Sequence, residues 1–419
     1  MVNGAFAAGA ILFPGSGALA AATQAVSADA FVDSIGVNTH ISYTRTPYWS
    51  RWDDTKSALT ALGVRHFRDG VFDCTNHSLR EFCVHFAELG AAGLTGDFVA
   101  GLKIPMSVVT VFPTQVGSAF GTFEGPNEYD LSRDPNWFAD LAAYQQQLYT
   151  TVKSDPAIAK YGVVGPPIGH LGNYAHTTDL SAYFDFGNLH DYPGTSNPGT
   201  RDNSPIRRWA DAARSLNGGK PNVATETGYW DGPPDKPLPA AVMPDAIIAR
   251  YEPRLFLEQH KEGIVRTYQY EFIDEGGDVT SVYDHGGLLT NDLTPKPQYF
   301  ALRNLIALLR DPGPSFSPGT LDYELSGSTD RVEHSLFAKR DGSMYIAIWL
   351  EKLSYDVGQR RDRNVKPQAV QLTIHGSTDN AATVTFDDNG RTTRAPLAFH
   401  GGAASLSIGD HVVVVCLPK

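Results

Sequence analysis

Cysteine is scarce in this chain of 419 residues, which contains only Cys74, Cys83 and Cys416. No two of them form a Cys-x-x-Cys pair, so a structural zinc site of the finger type is not expected. Cys74 and Cys83 are close enough in sequence to bridge a loop in an oxidising compartment, or both could be free thiols, and the sequence leaves the two alternatives open. Cys416 lies in an apolar run and is predicted to be a buried free thiol.

The chain also has fewer basic than acidic residues. The 34 Lys and Arg residues stand against 46 Asp and Glu, which gives a formal net charge of −12. This balance argues against a general nucleic-acid or anionic-membrane binder, since such proteins need a basic face. No stretch reaches the ~20 apolar residues of a spanning helix, so no membrane span is predicted. Hydrophobic residues make up 42% of the chain, enough for a large core. The length of the chain predicts roughly two domains, or one large barrel with an appendage.

The first 27 residues are predicted to be a signal-like or flexible segment. The chain from Met1 to about Ala25 is small and apolar with no Lys or Arg, and Ala18-Leu19-Ala20 has the small-x-small pattern of a cleavage site. The basic residues that usually open a secretory signal are missing, so a flexible extension is the alternative. With a signal, the protein would be secreted, periplasmic or otherwise extracellular.

Short apolar strands alternate with helix-like stretches between Ile35 and Leu309, a pattern typical of β/α units around a parallel sheet. The region 93–123 leaves little room for a full third helix, which is expected to be short or irregular. Eight strands within about 275 residues predict a (β/α)8 TIM barrel over residues 28–311. The predicted strands are 35–40, 64–69, one near 103–109, 122–124, 161–166, 186–190, 222–225 and 265–270, and the last helix is 300–309.

After residue 311 the chain changes to short runs of β-branched and aromatic residues separated by turn sequences such as Asp388-Asn389-Gly390. These runs predict a small antiparallel β-sandwich over residues 312–419. The fold class is therefore α/β, a TIM barrel followed by a small C-terminal β-sandwich. The predicted sandwich strands are 331–338, 345–350, 369–374, 383–386 and 411–417.

Two glutamates stand where the chemistry of such a barrel is expected, at the C-terminal ends of strands four and seven. They are Glu128, preceded by Asn127, and Glu226. Glu124 also follows strand four, but Glu128 is preferred because Asn127 accompanies it. Two facing carboxylates can cleave a glycosidic bond, with retention at a separation of about 5–5.5 Å and with inversion at about 6.5–9.5 Å.

With these motifs in this order, the sequence resembles the clan A retaining glycoside hydrolases, and is most similar to glycoside hydrolase family 39 and related bacterial exopolysaccharide hydrolases. The resemblance implies that Glu128 is the acid/base, that Glu226 is the nucleophile, and that Asn127 binds the sugar 2-hydroxyl. It also implies that His190 lies near the acid/base and that the Tyr192 hydroxyl donates to the nucleophile.

Further residues are predicted to bind substrate. Arg68, at the end of strand two, would favour the ionised nucleophile, although Arg65 is the alternative lining residue. His40, Tyr270 and Glu271 are predicted to line the sugar subsite. The Trp that many clan members have at the end of strand eight is missing here, and its candidate replacements are Tyr268, Tyr270 and Trp230.

The carboxylate pair predicts a glycosidase that hydrolyses O-glycosyl bonds, and the resemblance implies a retaining β-glycoside hydrolase acting on a β-linked poly- or oligosaccharide. No cofactor and no catalytic metal are expected; the acidic stretch of Glu271, Asp274 and Glu275 is either a solvated loop or a cation site. The alternatives are a transglycosylase using the same site and a non-catalytic carbohydrate-binding barrel. The sequence does not determine the oligomeric state.

Overall fold

The computed structural model describes residues 22–199, 204–232, 242–278 and 280–419. Of the predicted signal-like segment 1–27, residues 1–21 lie outside the described residues, whereas residues 22–27 include the short strands Thr23–Gln24 and Val26–Ser27. In the parts of the chain that the structure describes, none of the helices has the length and the apolar character that crossing a bilayer requires.

Eight parallel strands form the core of the larger part of the molecule. They are β1 (Ile35–Asn38), β2 (His66–Gly70), β3 (Thr95–Val99), β4 (Phe120–Glu124), β5 (Gly162–Val164), β6 (Gly187–His190), β7 (Asn222–Thr227) and β8 (Thr267–Gln269). Their order in the sheet is β5-β4-β3-β2-β1-β8-β7-β6. A parallel bridge between Val164 and Phe186 joins the two end strands and closes the ring. The predicted TIM barrel is confirmed.

Helices cover the outside of the barrel because each turns an apolar stripe toward the strands. In α6, for example, Leu141, Leu148 and Val152 are buried on one face. After β5 the described chain makes two 3₁₀ turns, Leu171–His176 and Ser181–Tyr183, where the other units have α-helices. The helices are α1 (Ala28–Asp33), α2 (Pro47–Ser50), α3 (Trp52–Leu62), α4 (Arg80–Ala91), α5 (Met106–Val116), α6 (Trp137–Ser154), α7 (Pro205–Asn217), α8 (Asp245–Lys261) and α9 (Pro297–Leu309).

The third β/α unit differs from the sequence-based expectation. The strand expected near 103–109 is wrong, because these residues lead into the eleven-residue helix α5, and the strand is β3, further upstream. The β-branched run around Val108 and Val109 has strand-like composition, yet with Phe112 and Val116 it forms a buried helical face. The strand β3 contains Gly96 and a buried Asp97. These two residues interrupt its apolar pattern, so a search for apolar runs does not find it.

Two antiparallel sheets form the C-terminal region, and the predicted β-sandwich is confirmed. The three-stranded sheet contains Tyr323–Gly327, Gln368–Ile374 and Ala403–Ile408. The larger sheet contains, in order, Val26–Ser27, Val332–Ala338, Met344–Leu350, Val413–Leu417, Ala382–Phe386 and Thr392–Pro396. Its first strand comes from ahead of the barrel and runs parallel to its neighbour. The domain boundaries at 27 and 311 stay predictions.

Helix α8 connects the barrel to the sandwich and is buried along nearly its whole length. Its Arg250 donates to Asp388 at 2.7 Å and forms an ion pair with Asp410 at 3.2 Å. Trp349 of the larger sheet donates its indole N–H to Glu258 of α8 at 2.6 Å. The sandwich therefore holds the helix that follows the seventh barrel strand.

The structure resolves the two alternatives for the cysteines. Cys74 and Cys83 form a disulfide with a Cα–Cα distance of 5.9 Å, and Cys416 is a buried free thiol. The disulfide joins the loop after β2 to the first turn of α4. It therefore fixes a loop at the end of the barrel where the strands terminate.

Candidate active site

A cavity of about 460 Å³ opens at the C-terminal ends of the barrel strands. Its volume lies within the range of small-molecule sites. Eight of the ten residues predicted for the site line it, and the other two, His190 and Glu271, do not. The eight lining residues are His40, Arg68, Asn127, Glu128, Tyr192, Glu226, Trp230 and Tyr270.

Glu226, near the end of β7, is almost fully buried and receives two short hydrogen bonds. Arg68 Nη1 donates to its Oε1 at 2.6 Å, and the Tyr192 hydroxyl donates to its Oε2 at 2.6 Å. Burial acts to raise the pKa of Glu226, but the His190 and Arg68 charges and the Tyr192 hydrogen bond outweigh it, so the pKa is lowered from its ordinary value. The carboxylate is thus ionised and fixed in orientation.

Glu128 follows β4 with a left-handed backbone, φ 42°, which costs a non-glycine residue free energy. Its surroundings hold it in place. Its Oε1 lies 2.7 Å from His190 Nδ1. Asp130 accepts from the backbone N–H groups of Gly169 and His170 and so fixes the facing loop. A Cβ at position 169 would lie 2.8 Å from the Glu128 Cδ, so glycine there permits the close approach.

His190, at the end of β6, lies beneath both carboxylates and is fully buried in its side chain. Its Nδ1 is 2.7 Å from Glu128 Oε1 and 3.5 Å from Glu226 Oε2, and its Nε2 is 3.0 Å from Thr225 Oγ1. Burial acts to lower the pKa of His190, but the two carboxylates outweigh it and the pKa is raised. One oxygen of Glu128, one of Glu226 and a ring nitrogen of His190 lie within 4.8 Å of one another.

Arg68, in the middle of β2, is buried inside the barrel with all five N–H donors bonded. It donates to Glu124 at 2.7 and 2.8 Å, to Asn38 at 2.9 Å, to Glu226 at 2.6 Å and to Asn127 at 2.7 Å. It therefore connects the strand-four and strand-seven sides of the cavity. Its charge acts on protein groups and leaves no N–H for a ligand.

The two alternative assignments do not lie at the cavity. Arg65, considered as the lining residue, forms an ion pair with Asp29 of α1 at 2.5 Å, at the N-terminal end of the barrel. Glu124, which could be mistaken for the acid, is wholly buried and accepts from Arg68. Glu128 and Arg68 line the cavity, and their roles stay predictions.

Aromatic rings form one wall of the cavity. The Trp230 and Tyr192 rings stack with centroids 4.7 Å apart at 30°, and Tyr270 meets Tyr192 edge-on at 6.2 Å. Of the three candidate replacements for the missing Trp, Trp230 and Tyr270 therefore line the cavity. Tyr268 is buried against Gly36, deeper in the barrel.

Six lining residues were not predicted as site residues, namely Asn38, Thr39, Tyr43, Asp69, Gly70 and Val99. Asn38 precedes His40 by two positions, so strand alternation could have indicated it. Asp69 accepts from the Thr39 hydroxyl at 2.8 Å and so holds the loop after β1. Tyr43 lies in that loop, outside any periodic element, and no sequence signal points to it.

Glu271 differs from the expectation that it lines the sugar subsite. Its side chain is fully buried, and neither carboxyl oxygen has a hydrogen-bond partner among the described residues. Burial and the neighbouring Glu275 and Asp274 raise its pKa well above the ordinary value. Tyr270, the residue before it, reaches the cavity instead, and its hydroxyl donates to Glu275 at 3.1 Å.

Two groups of ligand-type side chains among the described residues are compact enough to hold a metal ion. One is Glu128, His190 and Glu226, but Glu226 already accepts from the Arg68 guanidinium, whose charge would repel a cation. The other is His40, Glu271 and Glu275, of which only the histidine lines the cavity. The donor set at the cavity centre fits acid–base chemistry.

The sequence matches no family model, and no curated protein sequence matches it. Solved structures with the same fold include a family 39 glycoside hydrolase from the gut symbiont Bacteroides cellulosilyticus WH2, 14% identical, with a TM-score of 0.63, covering 95% of this chain and 83% of that one.

Two further solved structures share the fold. The catalytic domain of GH30 xylanase C from Talaromyces cellulolyticus is 12% identical, with a TM-score of 0.56, over 95% of this chain and 98% of that one. A glucosidase from Croceicoccus marinus is 13% identical, with a TM-score of 0.55, over 87% of this chain and 91% of that one. The barrel and sandwich of this chain are thus an architecture found among glycoside hydrolases.

Proposed function

We propose that the protein is a retaining β-glycoside hydrolase that acts on a β-linked poly- or oligosaccharide. The observation that carries the proposal is the pair of carboxyl groups of Glu128 and Glu226, which approach within 4.8 Å across one cavity. This approach supports the direct attack of a retaining enzyme, because the water of an inverting enzyme needs a gap of about 6.5–9.5 Å.

In the first step, the ionised Glu226 attacks the anomeric carbon while Glu128 gives its proton to the departing oxygen. The C–O bond to the leaving group breaks, and an ester bond to Glu226 forms. Arg68 and Tyr192 each hold one oxygen of Glu226, so the carboxylate is oriented before the substrate enters. The Glu128 carboxylate that remains is stabilised by the adjacent His190, whose raised pKa favours its cationic form.

In the second step, Glu128 takes a proton from water, and the water oxygen attacks the same anomeric carbon. The ester bond to Glu226 breaks, and the sugar leaves with its original configuration. The aromatic wall of Trp230 and Tyr192 offers a flat apolar surface for the sugar ring. The amide oxygen of Asn127 accepts a hydrogen bond from Arg68 at 2.7 Å, which leaves the amide N–H groups of Asn127 for the sugar 2-hydroxyl.

We also propose that the protein acts outside the cytosol. The disulfide between Cys74 and Cys83 supports this, because such bridges persist in oxidising compartments. A polysaccharide is too large to enter a cell intact, so an extracellular or periplasmic enzyme fits the proposed substrate class.

The proposed function is tested by the anomeric configuration of the first product and by a Glu128→Ala variant. Wild-type enzyme on aryl β-glycosides should release the β-anomer first, as read by proton NMR. The variant should lose about 10²–10⁴-fold in kcat/KM on glycosides with poor leaving groups and much less on dinitrophenyl glycosides, which need no proton. Azide should restore its turnover and yield a β-glycosyl azide.

Each alternative has its own result in this experiment. An α-anomer as the first product would contradict retention. Saccharide binding without hydrolysis would identify a non-catalytic carbohydrate-binding barrel. Predominant transfer to a sugar acceptor, measured by product chromatography at high sugar concentration, would identify a transglycosylase.

The Tyr192 hydroxyl is expected to set the acid limb of the pH profile. Its hydrogen bond favours the ionised form of Glu226, so Tyr192→Phe should raise the pKa of Glu226 and move the acid limb of kcat/KM to higher pH. Loss of a charge-assisted hydrogen bond should also lower kcat/KM by roughly tenfold at the optimum. Initial rates measured across the acid range give both values, and an unmoved acid limb would contradict this role.

A further inference from the structure

Glu271 is the buried acid of this region that the proposed mechanism leaves without a role. A buried carboxyl group without a hydrogen-bond partner is costly and calls for an explanation. The only ion-pair contact of Glu271 in the described structure is His40, whose Nε2 lies 3.3 Å from Oε2. This nitrogen is itself buried and has no hydrogen-bond partner among the described residues. The two unpartnered groups are therefore within hydrogen-bonding distance of each other, although their present orientation does not form the bond.

The His40 ring is held in this orientation by aromatic neighbours on three sides. Tyr43 stacks on its face with centroids 4.4 Å apart and 9° between the planes. Tyr48 meets it edge-on at 6.4 Å, and Tyr270 does so at 5.5 Å. With Nε2 buried 3.3 Å from Glu271 Oε2, Nδ1 is the ring nitrogen left for the cavity that His40 lines.

The charges around the pair favour a neutral acid facing a neutral imidazole. Burial and the carboxylates of Glu275 and Asp274 raise the pKa of Glu271, and Lys296 only partly offsets them. Burial lowers the pKa of His40 to about 4. The raised pKa of Glu271 favours its protonated form, and the lowered pKa of His40 favours a neutral imidazole with one free lone pair to accept that proton in a hydrogen bond.

We propose that Glu271 is a positioning residue: its carboxyl group donates a hydrogen bond to Nε2 of His40, which places the His40 proton on Nδ1 and makes that N–H a donor to a sugar hydroxyl oxygen in the cavity. The ligand in this statement rests on the proposed function, whereas the tautomer of His40 does not. Glu271 itself touches no ligand, and its effect reaches the substrate only through the imidazole.

The tautomer is read directly by NMR of the full chain with ¹⁵N-labelled histidine, with the His40 signals assigned by His40→Ala. Wild-type protein should show the proton on Nδ1. Glu271→Gln keeps a donor, its amide N–H, and should keep this tautomer, whereas Glu271→Met removes the donor and should shift the proton toward Nε2. A wild-type His40 protonated on Nε2 alone, or on both nitrogens, would overturn the proposal.

Kinetics on aryl glycosides supply a second readout that a merely structural role would not move. Glu271→Met should raise KM about tenfold with kcat little changed, and Glu271→Gln should stay within about threefold of wild type. On the one monodeoxy glycoside that lacks the hydroxyl bound by His40, Glu271→Met and wild type should have the same KM. An equal increase on every deoxy substrate, or none on any, would overturn the proposal.

The two proposals fail in different ways. If wild-type protein cleaves no glycoside, the proposed function fails, and the NMR experiment still decides the tautomer. If it cleaves glycosides but the wild-type tautomer is wrong, only the positioning role fails. Because the Glu271 carboxyl group has no other hydrogen bond among the described residues, Glu271→Met should keep the thermal midpoint of wild type, and this is measured first.

Discussion

Glu226→Gln is expected to lower kcat by at least about 10⁴-fold, the scale on which removal of a catalytic nucleophile acts. An amide nitrogen or oxygen cannot displace the leaving group as a carboxylate does, so the ester intermediate does not form. The substitution keeps the volume of the side chain and an acceptor for Arg68, so the thermal midpoint should change little. Initial rates on activated aryl β-glycosides give the loss directly.

The matched control is Glu81→Gln, which makes the same chemical change on the exposed face of α4 and should leave kcat unchanged. A 2-fluoro glycoside with a good leaving group should trap the ester on wild-type protein, and peptide mass spectrometry should find the added mass on Glu226. Near-normal hydrolysis by Glu226→Gln, or the added mass on another residue, would remove Glu226 from the nucleophile role.

Arg68→Met is expected to have the largest effect on stability. Arg68 holds Glu124 and Glu226 in the barrel interior, and its removal leaves two buried carboxylates without their cation. Breaking a buried ion pair on one side typically costs about 3–5 kcal/mol of unfolding free energy. The pKa of Glu226 should rise as well, so the remaining activity should have its acid limb at higher pH.

A double variant separates the two consequences. Arg68→Met with Glu124→Met replaces the buried pair by apolar groups and should recover part of the lost stability, because such replacements are often neutral. Its activity should stay low, since Glu226 still lacks the Arg68 hydrogen bond. Arg65→Met is the matched control: it removes an arginine from a partly exposed pair with Asp29, and its pH profile should equal that of wild type. Equal thermal midpoints for Arg68→Met and wild type would contradict the argument.

The sequence located much of the candidate site because a parallel barrel brings the ends of its strands to one rim. Glu128, His190 and Glu226 each follow a recognisable apolar strand, so their convergence could be predicted before any distance was known. Glu271 could not be placed in this way. Strand β8 ends at Gln269, and beyond it the alternation of side chains no longer tells which residue faces the cavity and which faces the interior.

The third β/α unit was mispredicted for a related physical reason. A barrel interior can hold polar residues when other buried groups form hydrogen bonds with them. The Thr122 hydroxyl of β4 donates a hydrogen bond to Oδ1 of Asp97 in β3 at 2.5 Å. A search for apolar runs passes over such a strand and selects the valines of α5 instead. The disulfide was also undetermined by sequence, since it depends on how the loop after β2 folds back on α4.

The dependence of α8 on the sandwich bears on any attempt to shorten the protein. A fragment that stops after α9 would strip Arg250 of both Asp388 and Asp410, and would uncover a helix adapted to an interior. Glu226 and Trp230, which line the cavity, precede this helix in the chain. Loss of the packing around the helix should therefore disturb the cavity as well. A shortened form of the protein should therefore keep both C-terminal sheets, because they cover a helix of the barrel.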